Sequence, residues 1–165
     1  MRFNYNTNPG TRGGGSNHPE IQNFFSNPHN SNQVFLQFNL YLMTNQIQYK
    51  QNMDVKYDNL EIIDVPAIIA ENKEQWFNQT LTNVNDSAVR LGIVQGEYHW
   101  HKHDEDDEFF FVLSGKLFID LEGRTIELLP MTGTTVPKGV MHKTRALEKT
   151  VMLMVETSSI NPLGN

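Results

Sequence analysis

Histidines at positions 99, 101 and 103 alternate with Tyr98, Trp100 and Lys102 in the stretch GEYHWHKHDEDDEFFFVLSG. In an extended backbone alternate side chains share a face, so these imidazoles project to one side together. Imidazoles placed so on one strand chelate a single ion. Glu108 follows the DEDD run and opens EFFFVL, which reads as the antiparallel return strand, and the hairpin carries its carboxylate back toward His101 and His103. A further imidazole, His142, comes after VPKGVM, where Pro137 and Gly139 make a turn that feeds it into another strand. His101, His103, Glu108 and His142 therefore form a candidate metal shell. His99 shares their face one pleat further from the bend and reads as a candidate catalytic proton carrier, a substrate contact or a residue of the mouth. Tyr98, Trp100, Phe109 and Phe111 fall on the opposite faces, as core or dimer-interface candidates.

Alternating histidines alone are equally well explained by a solvated edge strand. A carboxylate at the hairpin interval, a glycine closing the return strand and a distant PxGxxH favour the metal reading. Asp104, Glu105, Asp106 and Asp107 read as a solvated loop rather than as ligands. On the strand after the turn, Lys143 and Arg145 point away from His142 and read as surface cations. Ser114 has no histidine and acid arranged as partners, so nucleophilic hydrolysis has no support.

The elements that must hold these residues are short strands. TLTNVN and SAVRLGIVQG are joined by the turn NDS, and KLFIDL, EG and RTIELL make a tight hairpin. TGTTVPKGV supplies a short strand and a turn, and HKTRAL and TVMLMVE complete the sheet. The last is apolar on both faces, hence central or between subunits. Before them, MDVKYDNLEIIDV reads as edge strands, and PAIIAENKEQWF opens with a proline suited to the first helical turn. Many short strands at regular spacing make an all-β barrel or sandwich.

These residues resemble the cupin superfamily, in particular its small single-domain members often labelled mannose-6-phosphate isomerase-like. The first cupin motif is a glycine, an HXH pair, a glutamate and a closing glycine; Gly96, His101, His103, Glu108 and Gly115 match it, with one residue fewer after the first glycine. The second motif is matched in register by Pro137, Gly139 and His142. Met131 stands where that motif opens with glycine, leaving Gly133 to take the turn, and Ala146 stands where it closes with asparagine. The resemblance implies a double-stranded β-helix, a jelly-roll barrel with its ligands inside, spanning residues 53–165 with core motifs over 87–156. It also implies one divalent transition metal (manganese, iron, nickel, cobalt or zinc) and a homodimer. The function implied is a metal-dependent enzyme on a small oxygenated metabolite, by isomerase, epimerase, lyase or dioxygenase chemistry. The alternative is a non-catalytic cupin that binds or senses a small molecule.

Composition narrows the partners. With a formal net charge of -6 and no basic stripe, the chain does not fit nucleic acid as main partner. It has no cysteine, which excludes disulfides and thiolate zinc sites. Residues 34–43 are too short and too interrupted to span a bilayer, and no signal peptide is evident. A cytoplasmic location is expected, a mitochondrial one being conceivable because Glu20 is the only acidic residue before Asp54. Residues 1–52, rich in Asn, Gln, Gly and Ser, read as a low-complexity, disordered tail.

Overall fold

The computed structural model describes residues 35–36 and 48–164. Nearly all of the tail, and the disorder expected of it, lies outside them. The chain divides between Gln46 and Ile47, and everything below concerns the unit Ile47–Asn165. No helix among the described residues is long and apolar enough to cross a membrane.

The unit opens with β1 (Tyr49–Asn52), which pairs in parallel with β2 (Trp76–Val84). This strand lies ahead of Met53, where the sequence places the start of the domain. YKQN shows no apolar alternation because β1 is an edge strand, held by backbone pairing with three of its residues exposed. Between β1 and β2 runs α1 (Val65–Glu71), with Asp64 accepting a hydrogen bond from Ala67 N at 3.0 Å and a proline in its first turn.

β2 and β3 (Ser87–Glu97) form an antiparallel hairpin. β4 (Glu108–Ser114) follows the histidine stretch, then β5 (Leu117–Leu121), β6 (Arg124–Leu128) and β7 (Gly133–Val136). The last strand, β8 (His142–Thr157), is one continuous element rather than two. It pairs with β3 along its length, while its other edge pairs with β5 over residues 142–145 and with β4 over residues 151–155. The change of partner falls at the exposed residues 147–149, opposite a register shift between Val94 and Gly96 in β3. A bulge of this kind bends a strand, and here it lets β8 belong to both halves of the barrel. β4 therefore leaves β8 where the turn at Gly115 begins. Gly115 has φ 79°, and a Cβ there would stand 2.6 Å from Thr150 Oγ1, so conformation and close approach both require glycine.

Alternation along the strands divides the apolar residues into two clusters. Trp76, Val94, Tyr98, Phe110, Val112, Ile119, Met152 and Met154 fill the barrel. Leu81, Leu91, Ile93 and Val151 face outward and are covered by Ile68 of α1. The doubly apolar character of TVMLMVE has this cause: its strand is central, with one face in the barrel and Val151 under the helix. Leu91 and Ile93 are fully buried, and cutting either to alanine would cost about 2–5 kcal/mol.

The turn before β7 differs from expectation. Met131 itself adopts φ 66°, and Gly133 is outside the left-handed region. Gly133 is small for another reason, since a Cβ there would lie 2.6 Å from Phe110 O.

Candidate metal centre

β3 ends at Glu97, before the histidines. Tyr98 N donates to Thr144 O at 2.8 Å, and His101 N and His142 N exchange hydrogen bonds with each other's carbonyl oxygens at 2.9 Å. One extra residue lies on the histidine side between these two pairings, a bulge that leaves His99 and Trp100 exposed. The bulge corrects two expectations. Tyr98 and His101 both turn inward, so Tyr98 is a barrel residue, 7% exposed. His99 does not share the ligands' environment: it is exposed, outside the cavity wall, and its Nε2–H donates to Leu163 O at 3.0 Å.

His101, His103 and Glu108 are brought together as the spacing predicts, with one ligand atom from each within 4.8 Å of the others. All are buried, as is His142. Glu108 enters from β4, whose residues 108, 110 and 112 face the interior. Its Oε2 lies 3.5 Å from His103 Nε2 and 3.2 Å from His142 Nε2. His142, at the start of β8, has its ring centroid 4.3 Å from that of His101.

The outer nitrogens decide what the inner ones present. His101 Nδ1 lies 3.1 Å from His99 O, and His142 Nδ1 lies 3.0 Å from Val140 O. A carbonyl oxygen only accepts, so each Nδ1 carries the proton and the neutral ring turns a bare Nε2 inward. His142 Nε2 then faces Glu108 Oε2, lone pair against lone pair, and the contact needs a cation between them: a proton or a metal. Burial, the largest single effect, works against a charge on His142, but the hydrogen bonds to Glu108 and Val140 and the Glu108 charge together outweigh it and raise the pKa. His101 is pushed the other way, down to about 4, by burial and then by His142, so its lone pair stays available. Burial would raise the Glu108 pKa, but hydrogen bonds from His103 and His142 hold it below the usual carboxylate range. His103 Nδ1 is buried without a hydrogen-bond partner. Buried imidazole nitrogens and a carboxylate oxygen converging in this way fit a divalent ion.

The cluster borders a cavity of about 30 Å³ whose wall includes Trp76, Asn78, Arg90, Tyr98, His101, Glu108 and Glu156. Arg90 Nε stands 2.6 Å from Glu156 Oε1, both side chains being almost fully buried. Sequence reading passed over this pair. The signal was there: Arg90 interrupts SAVRLGIV at an inward position, and Glu156 does the same in VMLMVE. The mouth beside His101 is covered by the segment after β8. Tyr98 OH donates to Pro162 O at 3.0 Å, and a Cβ on Gly164, whose φ is 80°, would stand 2.7 Å from His101 Cβ. Two of the loop acids are engaged elsewhere: Asp107 Oδ1 accepts from Lys138 N at 2.9 Å, and Asp106 accepts from the Thr157 hydroxyl.

Comparison with known proteins agrees with this architecture. A cupin domain model matches residues 90–157. The uncharacterized protein YdbB of Bacillus subtilis (strain 168) is 43% identical over 91 residues, which cover 54% of this chain and 80% of that protein. Among solved structures, a cupin-2 domain containing protein from Shewanella frigidimarina NCIMB 400 superposes with a TM-score of 0.56 at 30% identity, covering 58% of this chain and 94% of that one. Protein NMB1881 from Neisseria meningitidis gives 0.54 at 26% identity, covering 59% and 99%. With the barrel, the inward histidines and these relatives in agreement, the chain belongs to the cupin family as a single small cupin domain.

Proposed function

We propose that His101, His103, Glu108 and His142 hold one divalent transition metal, and that the domain acts on a small oxygenated metabolite beside it. The observation that carries this is the facing pair His142 Nε2 and Glu108 Oε2, 3.2 Å apart, with the His142 proton committed to Val140 O. A bound divalent ion would supply Lewis acidity toward a carbonyl or hydroxyl oxygen. The chain supplies the rest. His99 O and Val140 O fix two of the rings, and Phe110, Met152 and Met154 exclude water from one side of the cavity. Tyr98 OH and Glu156 are the proton-bearing groups in its wall. Burial pushes the Tyr98 phenol up to about 12, so it stays a hydrogen-bond donor at neutral pH. Isomerase, epimerase, lyase and oxygenase chemistry all use such a site. A second reading, a binding module without turnover, is favoured by the position of His99, whose ring is engaged with Leu163 O and leaves no other imidazole free beside the cluster among the described residues.

The test is elemental analysis of protein purified without a histidine tag, titration of the stripped protein with manganese and nickel, and turnover assays on sugar and hydroxy-acid panels. One equivalent of metal and turnover support the enzyme reading. One equivalent without turnover on any panel member supports the binding module. Less than stoichiometric metal with both ions overturns the metal site.

A further inference from the structure

The wall of the cavity away from the histidines carries polar atoms that nothing among the described residues satisfies. Trp76 Nε1 is buried without a partner, and so is Asn78 Oδ1 on the same strand. Arg90 lies beside them in the same wall, its Nε paired with Glu156 Oε1 at 2.6 Å. Each such group costs roughly 1–3 kcal/mol when left unpaired, so two of them beside one small cavity are a costly arrangement unless something enters to meet them.

The charges point the same way. This step rests on the metal site proposed above. A divalent ion would bring two positive charges and Arg90 brings a third, while Glu108 and Glu156 return two at most. The interior is thus left net positive, far from water, where an uncompensated charge is expensive. An anion relieves it. The Arg90 guanidinium and Trp76 Nε1–H are donors suited to carboxylate oxygens, and Asn78 Oδ1 is an acceptor that calls for a hydroxyl. The cavity of about 30 Å³ compares with roughly 10–15 Å³ for one water on the same measure, so the occupant has few atoms beyond those the wall recognises.

We propose that the ligand of this site is a small hydroxycarboxylate. Its carboxylate lies against Arg90 and Trp76 Nε1, its hydroxyl donates to Asn78 Oδ1, and the metal cluster closes the other end of the cavity.

The experiment titrates the metal-loaded full chain with glycolate, lactate and glycerate, and in parallel with lactamide and propane-1,2-diol, by calorimetry. Metal content is measured on the same samples. Saturable binding of a carboxylate, roughly tenfold or more tighter than its neutral counterpart, is the expected result. Trp76→Phe removes one donor and Asn78→Asp places a like charge against the ligand. Each weakens carboxylate binding by roughly tenfold or more while the metal stays stoichiometric. These variants leave the Arg90 and Glu156 pair intact, so loss of folding from an unpaired buried charge does not enter. Stoichiometric metal with carboxylate and neutral analogue bound equally overturns the proposal, as do carboxylate binding unchanged in both variants and no binding of any panel member. A chain that takes up no metal overturns the metal-site reading and this one with it. Failure of the hydroxycarboxylate alone leaves the metal reading standing.

Discussion

The Tyr49 hydroxyl donates to the carbonyl oxygen of Glu97, 2.6 Å away, and ties the edge strand β1 to the last residue of β3. Two residues along, Gln51 Nε2 donates to Tyr98 OH at 2.9 Å, and the Tyr49 ring meets those of Trp76 and Tyr98 edge-on at 5.4 and 4.8 Å. Through these contacts β1 sets the position of the tyrosine that lies beside the histidine cluster.

We propose that the folded unit starts at Ile47, and truncation tests it. A chain beginning at Ile47 keeps its unfolding midpoint, whereas one beginning at Met53 loses β1 with its hydrogen bonds and aromatic contacts. The second is expected to be destabilised by about 2–3 kcal/mol in urea denaturation. Equal midpoints would show that β1 contributes nothing.

His101→Ala and His142→Ala each abolish stoichiometric metal binding, because each removes a bare inward Nε2. His99→Ala leaves the metal in place, because that ring contacts Leu163 O outside the cavity. Elemental analysis of the three variants checks this; metal lost in His99→Ala would put that residue in the ligand set.

Met131→Gly stabilises the chain by about 0.5–1 kcal/mol. At φ 66° a side chain strains the backbone by roughly 1–2 kcal/mol, which glycine relieves at some entropic cost. The methionine is 69% exposed and gives up little packing. Met131→Ala retains the strain and should show no gain in the same denaturation experiment.

The hairpin from His101 to Glu108 was legible because both motif and parity place those side chains. Tyr98 was not, because parity survives only while the strand is regular, and the bulge at His99 and Trp100 adds one residue without changing the apolar pattern. β1 escaped for a related reason, since an edge strand is specified by backbone pairing more than by side chains. The polar wall of the cavity lies on β2 and β3, where Trp76, Asn78 and Arg90 alternate with outward residues in otherwise unremarkable strands. The sequence marks such residues only as breaks in an apolar face, which become meaningful once the barrel brings them together.

Acid stability carries a separate signature at Asp120. The hydrogen bond from Arg145 Nε, at 2.7 Å, holds its carboxyl below the usual aspartate range, against a weaker opposing effect of burial and with help from Thr125. A lowered folded pKa means that the contribution is present above the unfolded value and is lost as pH falls through the folded one. For a partly exposed pair it amounts to about 0.5–1 kcal/mol. The stability gap between the parent and Asp120→Asn should therefore be open at about pH 6 and narrow below about pH 3. A gap that is the same at both would remove the ion pair from the account.

The segment that covers the mouth of the barrel also governs how the protein is best handled. Gly164 packs against His101, so residues fused after it begin their path beside the ligand cluster. An oligohistidine tag there would hold competing imidazoles next to the metal site at high effective concentration and inflate the measured stoichiometry. Metal affinities measured with a carboxy-terminal oligohistidine tag should therefore be compared with those measured after the tag is removed.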